Sequence, residues 1–183
     1  MTVKSSRHLT TASRRGAKTQ KVDRRPIRVS DEDEGEWDSA RERVRQMIRL
    51  APGKGKGVSP YDNTDNVQKR EAYRLTRKYL KRRNAKIIEN LLINRGDAPK
   101  RIKFKDNPFY WVLILLDLFN RDNDRGNLSK TARILLYAHH HDIDPDLVVG
   151  FLHQCGTPAS ICKKAAVGEL EPWFAKRREE LDW

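Results

Sequence analysis

Cysteine is nearly missing from this sequence. Cys155 and Cys162 are the whole supply, and two thiols cannot build the framework of bridges that holds a small secreted domain. Long apolar runs are missing too. The longest passes from Phe109 through Leu116 to Leu118 and Phe119, with Asp117 inside it, and falls short of the roughly 20 residues that a bilayer requires. No apolar signal segment opens the chain, so an intracellular location and no membrane partner are expected. The first residues have the Arg, Ser and Thr of a mitochondrial transit peptide but not its apolar face.

The arrangements that carry chemistry are also lacking. Gly-Lys-Gly-Lys-Gly over 53–57 has no strand before it and no Gly-Lys-Ser/Thr after it, so it is not a phosphate loop. Residues 121–127 alternate Asp and Asn as a calcium loop does, without the central Gly and closing Glu. His139 or His140, His153, Cys155 and Cys162 form a conceivable zinc set. However, Cys155 and Cys162 are seven apart and His153 is too close to Cys155 for zinc-site spacing. Buried apolar thiols, and histidines at a helix C-terminus, are the simpler expectation. No nucleophile, base and orienting acid recur at a telling spacing, so neither an enzyme nor a cofactor nor a metal is expected.

Charge is what the sequence has. Lys and Arg total 38 against 25 Asp and Glu, a net charge of +13. Acids are absent where bases are dense. Residues 1–30 carry nine bases against Asp23 alone, and from 66 to 88 the one acid is Glu71. Between these basic tracts, residues 31–38 hold six acids and no base, while 106–183 hold twelve acids and nine bases. A field of this kind attracts polyanions, nucleic acid first.

The pattern predicts an all-α protein, a small multi-helix C-terminal module behind a disordered basic N-terminal arm. Residues 1–35 have no hydrophobic period and are read as the arm. Residues 36–60 are read as a short helix and a Gly/Lys linker. Trp37, Ala40, Val44, Met47, Ile48 and Ala51 share one face of that helix. Ser30 and the acids after it suit a helix start. Residues 61–183 are read as the helical domain, with a basic helix over 63–95 and core helices over 107–183. The core is expected in 108–152, the one stretch apolar enough to build it.

Around 137–152 the small and apolar positions resemble a helix-turn-helix. But Asp142 stands where glycine is usual, and Asp144, Pro145 and Asp146 would open the reading helix. Two negative charges facing phosphates make this pair structural. Thr157 is the expected cap of a further helix.

Arg70, Arg74, Arg77, Lys78 and Lys81 fall on one stripe of the basic helix at 100° per residue. Like charges so placed repel, unless something neutralises them. A phosphate-binding face is therefore expected there, with Tyr73 and Tyr79 interleaved and Tyr79 the more core-like. Arg82 continues the surface, and Lys100, Arg101, Lys103 and Lys105 extend it, alternating with Ile102 and Phe104 along an extended linker. In the arm, Arg14, Arg15, Arg24 and Arg25 are the expected phosphate contacts. The expected function is non-enzymatic nucleic-acid binding, to DNA or RNA, with low sequence specificity. Residues 106–183 would give shape and contacts to a second copy or a protein partner. The alternative is a protein-interaction adaptor whose C-terminal module docks a partner while its basic segments meet acidic surfaces.

Overall fold

The computed structural model describes residues 29–52, 57–59, 61–81, 85–116 and 125–174. Among them the fold is all-α, as the apolar periods predict, and no helix is long and apolar enough to cross a membrane. Helix α1 spans Asp31–Leu50, α2 Thr64–Lys81, α3 Ala85–Asn94 and α4 Pro108–Leu116. The remaining helices are α5 (Arg125–His140), α6 (Val148–Cys155) and α7 (Pro158–Val167).

Helix α4 is the centre. Eight of its nine residues are buried and Tyr110 is half-buried. It packs on α2, α3 and α5, and α5 in turn holds α6 and α7. A helix this apolar on every side is stable only inside a shell of others. Asn107 starts it: its side-chain oxygen accepts from the Tyr110 N–H at 3.2 Å, and Pro108 fills the first turn, where a missing N–H costs nothing.

Helix α1 begins earlier than its apolar period indicates. Ser30 caps it, its hydroxyl accepting from the Asp33 N–H at 3.1 Å, and Asp31, Glu32, Asp33 and Glu34 form the first turn. Residues 31–35 thus belong to a helix and not to the arm. Four acids at the positive end of the helix dipole explain the extension. Trp37, Ala40 and Val44 are buried against the core as the spacing predicts, and Trp37 meets Tyr79 at 5.6 Å between ring centroids.

Of the basic helix expected over 63–95, α2 and α3 are the described parts, and residues 82–84 between them lie outside the described residues. Gly96 closes α3 at φ +71°, with the Asp97 N–H bonded to Leu92 O at 3.0 Å. The left-handed angle suits glycine at a helix end. Helix α5 is already formed at Arg125, before the Leu128 or Ser129 that the pattern favoured. The turn between α5 and α6 passes through Asp142 at φ +48°. Aspartate tolerates that angle better than most side chains, so the residue that argues against a tight turn in the sequence makes one here. Thr157 caps α7 as expected, its hydroxyl accepting from the Ser160 N–H at 3.2 Å.

A buried polar seam ties the chain after α7 back to α5. His141, 2% exposed, accepts the Glu171 N–H on Nε2 at 3.0 Å and donates from Nδ1 to Tyr137 O at 2.8 Å. That pairing fixes the ring as neutral imidazole, and burial holds its pKa below the usual histidine value. The Glu171 carboxylate, also buried, accepts from the Tyr137 hydroxyl at 2.8 Å and from Lys164 Nζ at 2.7 Å. Burial alone would raise its pKa, but hydrogen bonds from Lys164, Tyr137 and Cys155 outweigh that and hold it low. Burial and the same carboxylate push the Cys155 thiol up to about 12. Cys155 is thus a buried, inert thiol, and Cys162 is half-buried. No three His, Cys, Asp or Glu side chains among the described residues come together as a metal site.

Candidate nucleic-acid interface

The stripe on α2 is charged as its sequence implies, but most of it faces protein. Arg77 is only 9% exposed. Its guanidinium donates to Asp142, to Ile143 O and to the Tyr73 hydroxyl oxygen, the last at 3.3 Å. Arg74 reaches both Glu71 oxygens at 2.8 Å and also pairs with Asp146. Arg70 meets Glu71 at 3.1 Å, and Lys78 meets Glu36 of α1 at 2.9 Å. Of the five stripe residues, Lys81 is the exposed one with no acid partner among the described residues.

These contacts have a common logic. The acids come from the turn before α6, from the first turns of α1 and from Glu71, the single acid inside the basic tract. They neutralise the row of like charges that would otherwise weaken α2. Burial lowers the pKa of Arg77 and Arg74, but their hydrogen bonds and neighbouring acids raise it further, so both stay charged. Tyr73 is buried too. Its ring stacks on Phe109 at 5.4 Å and its hydroxyl donates to Ile143 O at 2.8 Å, so neither Tyr73 nor Tyr79 offers a face to a base.

The segment 97–107 is the opposite case. It lies between α3 and α4 without helix or strand. Ile102 and Phe104 are half-buried, Phe104 against the core, while Lys100, Arg101, Lys103 and Lys105 are exposed. The alternation seen in the sequence is therefore real as burial, in turns and not in a strand. Two contacts fix the segment: Trp111 Nε1 donates to Ile102 O at 3.1 Å, and Phe104 stands edge-on to Trp111 at 5.7 Å. No carboxylate among the described residues pairs with the four cations. Beside them opens a groove of about 680 Å³ lined by Pro99, Lys100, Arg101, Tyr110, Ile114 and Leu128, among others. Tyr110 was not singled out in the sequence because it lies inside the apolar run. Its signal was available: it is the one hydroxyl-bearing ring on a helix otherwise built of apolar residues and Trp111.

Arg14, Arg15, Arg24, Arg25 and Arg82 lie outside the described residues. Compared with known proteins, the chain matches no family model, no curated protein and no solved structure.

Proposed function

We propose that this protein is a non-enzymatic nucleic-acid-binding protein that holds phosphates on its 100–105 segment. The observation that carries the reading is the set Lys100, Arg101, Lys103 and Lys105, four exposed cations within six residues and without acid partners among the described residues. Unpaired bases held on a fixed backbone are available to phosphates at no cost in broken ion pairs, and they gain from counterion release. Lys81 adds a further exposed cation at the end of α2. Arg14, Arg15, Arg24 and Arg25 of the N-terminal segment supply more charge to the same polyanion.

Two features narrow the ligand. The groove beside the cations has an apolar floor, Ile114 and Leu128, and a tyrosine wall, Tyr110. An aromatic next to a basic track favours unpaired bases over duplex. The helix that a helix-turn-helix would insert is not basic: Asp144, Pro145 and Asp146 precede α6, and acids there repel phosphates. Single-stranded nucleic acid bound with little sequence preference is the resulting assignment.

The test is affinity for labelled single-stranded DNA, RNA and duplex DNA of equal length over a salt series. Steeply salt-dependent binding, tightest for the single strands, is expected. Failure to bind any of the three at low salt overturns the assignment. It would leave the adaptor reading, which is favoured by a second cleft, lined by Tyr61, Leu147, Phe151, Trp173 and Asp144 among others.

A further inference from the structure

Three exposed apolar side chains, Tyr61, Leu147 and Trp173, line one cleft of about 680 Å³. Trp173 stands edge-to-face against Phe151 at 5.9 Å and against Phe174 at 6.2 Å, with interplanar angles of 80° and 89°. The cleft wall depends on Gly150. A Cβ at that position would lie 2.3 Å from the Tyr61 hydroxyl, so any other residue at 150 must push the tip of that ring aside. Asp142 and Asp144 complete the lining.

The two acids differ in what holds them. Asp142 is taken by Arg77, as its neighbour Asp146 is by Arg74. Asp144 is exposed and accepts the Asp146 N–H at 2.9 Å, and no cation among the described residues pairs with it. Aromatic rings set at steep angles, with a free carboxylate beside them, make a receptor for a cationic side chain. Arginine fits better than lysine, because a planar guanidinium stacks on a ring while its N–H groups reach a carboxylate.

We propose that this cleft binds arginine side chains of the chain's own N-terminal segment, residues 1–28. Charge complementarity selects the occupant: the segment holds nine Lys and Arg, six of them Arg, against Asp23 alone. Reach permits it. The segment joins the fold at Val29, which packs against the core. Twenty-eight residues extend up to about 90 Å, several times the radius of a domain of this size. Tethering supplies an effective concentration that an untethered basic peptide must match from solution. This docking does not depend on nucleic-acid binding, although the same arginines would serve both.

Zero-length carbodiimide coupling of the dilute full-length protein, without nucleic acid, tests the proposal, with the joined residues mapped by mass spectrometry. Amide links from Lys18 or Lys21 to Asp144 are expected. Replacing Arg14, Arg15, Arg24 and Arg25 by Gln leaves those lysines in place and should lower the yield about fivefold or more. Gly150→Ala changes no charge and should lower it as well, by displacing Tyr61. Links confined to the acids of 31–36, or yields unmoved by both variants, overturn the proposal. So do links joining ¹⁵N-labelled to unlabelled chains in a mixture, which would place the segment of a second copy in the cleft.

Discussion

Two basic regions of this molecule look alike in sequence and sit in different surroundings. The α2 stripe holds Arg70, Arg74, Arg77, Lys78 and Lys81, and the segment after α3 holds Lys100, Arg101, Lys103 and Lys105. On α2, four of the five cations are engaged by Glu71, Asp142, Asp146 and Glu36. On the later segment, none of the four has a carboxylate partner among the described residues. A row of like charges on a helix reports that something neutralises it. Whether that is a phosphate or a carboxylate depends on what the fold brings near. Here Glu71 lies in the helix itself, while Asp142, Asp146 and Glu36 arrive from far along the chain, so Arg77, Arg74 and Lys78 tie separate parts of the protein together.

The largest effect that separates the regions is expected at Arg77. Arg77→Gln removes a nearly buried guanidinium with three acceptors. It should destabilise the fold by about 3 kcal/mol, at the low end for breaking a buried pair because Asp142 itself is exposed. Urea unfolding with an unchanged m value would measure it. A loss below about 0.5 kcal/mol, the level of an ordinary surface change, would return Arg77 to the list of free cations.

A second, smaller effect concerns the polar seam, where acids also decide the behaviour of their neighbours. Glu171 has a lowered pKa in the fold, so its contribution is full above the unfolded value of about 4.3 and is lost as pH falls through the folded one. His141 is also lowered. Its neutral ring stabilises the fold above about 6.5, and that contribution declines as acid protonates it. Thermal stability should thus decline in two stages on acidification. Glu171→Gln should cost about 1–2 kcal/mol at pH 7 and abolish the lower stage while keeping the upper. Identical acid profiles for the two proteins would remove Glu171 from the seam.

The smallest effect is expected at Lys78, whose pair with Glu36 is 35% exposed on the lysine side and 41% on the glutamate side. Lys78→Gln should cost about 0.2–1 kcal/mol, measured by the same urea titration. A loss as large as that of Arg77 would mean that the α1–α2 contact depends on this pair and not on Trp37, Ala40 and Val44.

Much of the fold is legible in the sequence because it rests on local signals. The apolar run at 109–116 can only be a buried helix, Ser30 and Thr157 announce helix starts, and Gly96 announces an end. The acids at 31–34 announce a start as well, and reading them as arm underweights the helix dipole. What is not legible is pairing at long range. Arg77 sits inside a basic tract, and Asp142 follows it by 65 positions. No period or motif links them before the chain is folded. Glu171 is one acid among many near the end of the sequence, and its place between Tyr137 and Lys164 arises from packing alone. The candidate interface was half legible. The alternation over 100–105 separates exposed bases from half-buried Ile102 and Phe104, whereas the α2 stripe cannot reveal its own partners.

The central claim is that phosphates are held by the 100–105 segment and not by the α2 stripe. The most direct measurement is the slope of log affinity against log salt for a labelled single-stranded oligonucleotide. Wild type is compared with the triple variant Lys100→Gln, Arg101→Gln, Lys103→Gln. Each phosphate contact on a single strand contributes about 0.7 to that slope, so the variant should be flatter by roughly 2. Its urea midpoint should be unchanged, because the three side chains are exposed and make no ion pair among the described residues. An unchanged slope with binding intact would place the nucleic acid elsewhere and contradict the account.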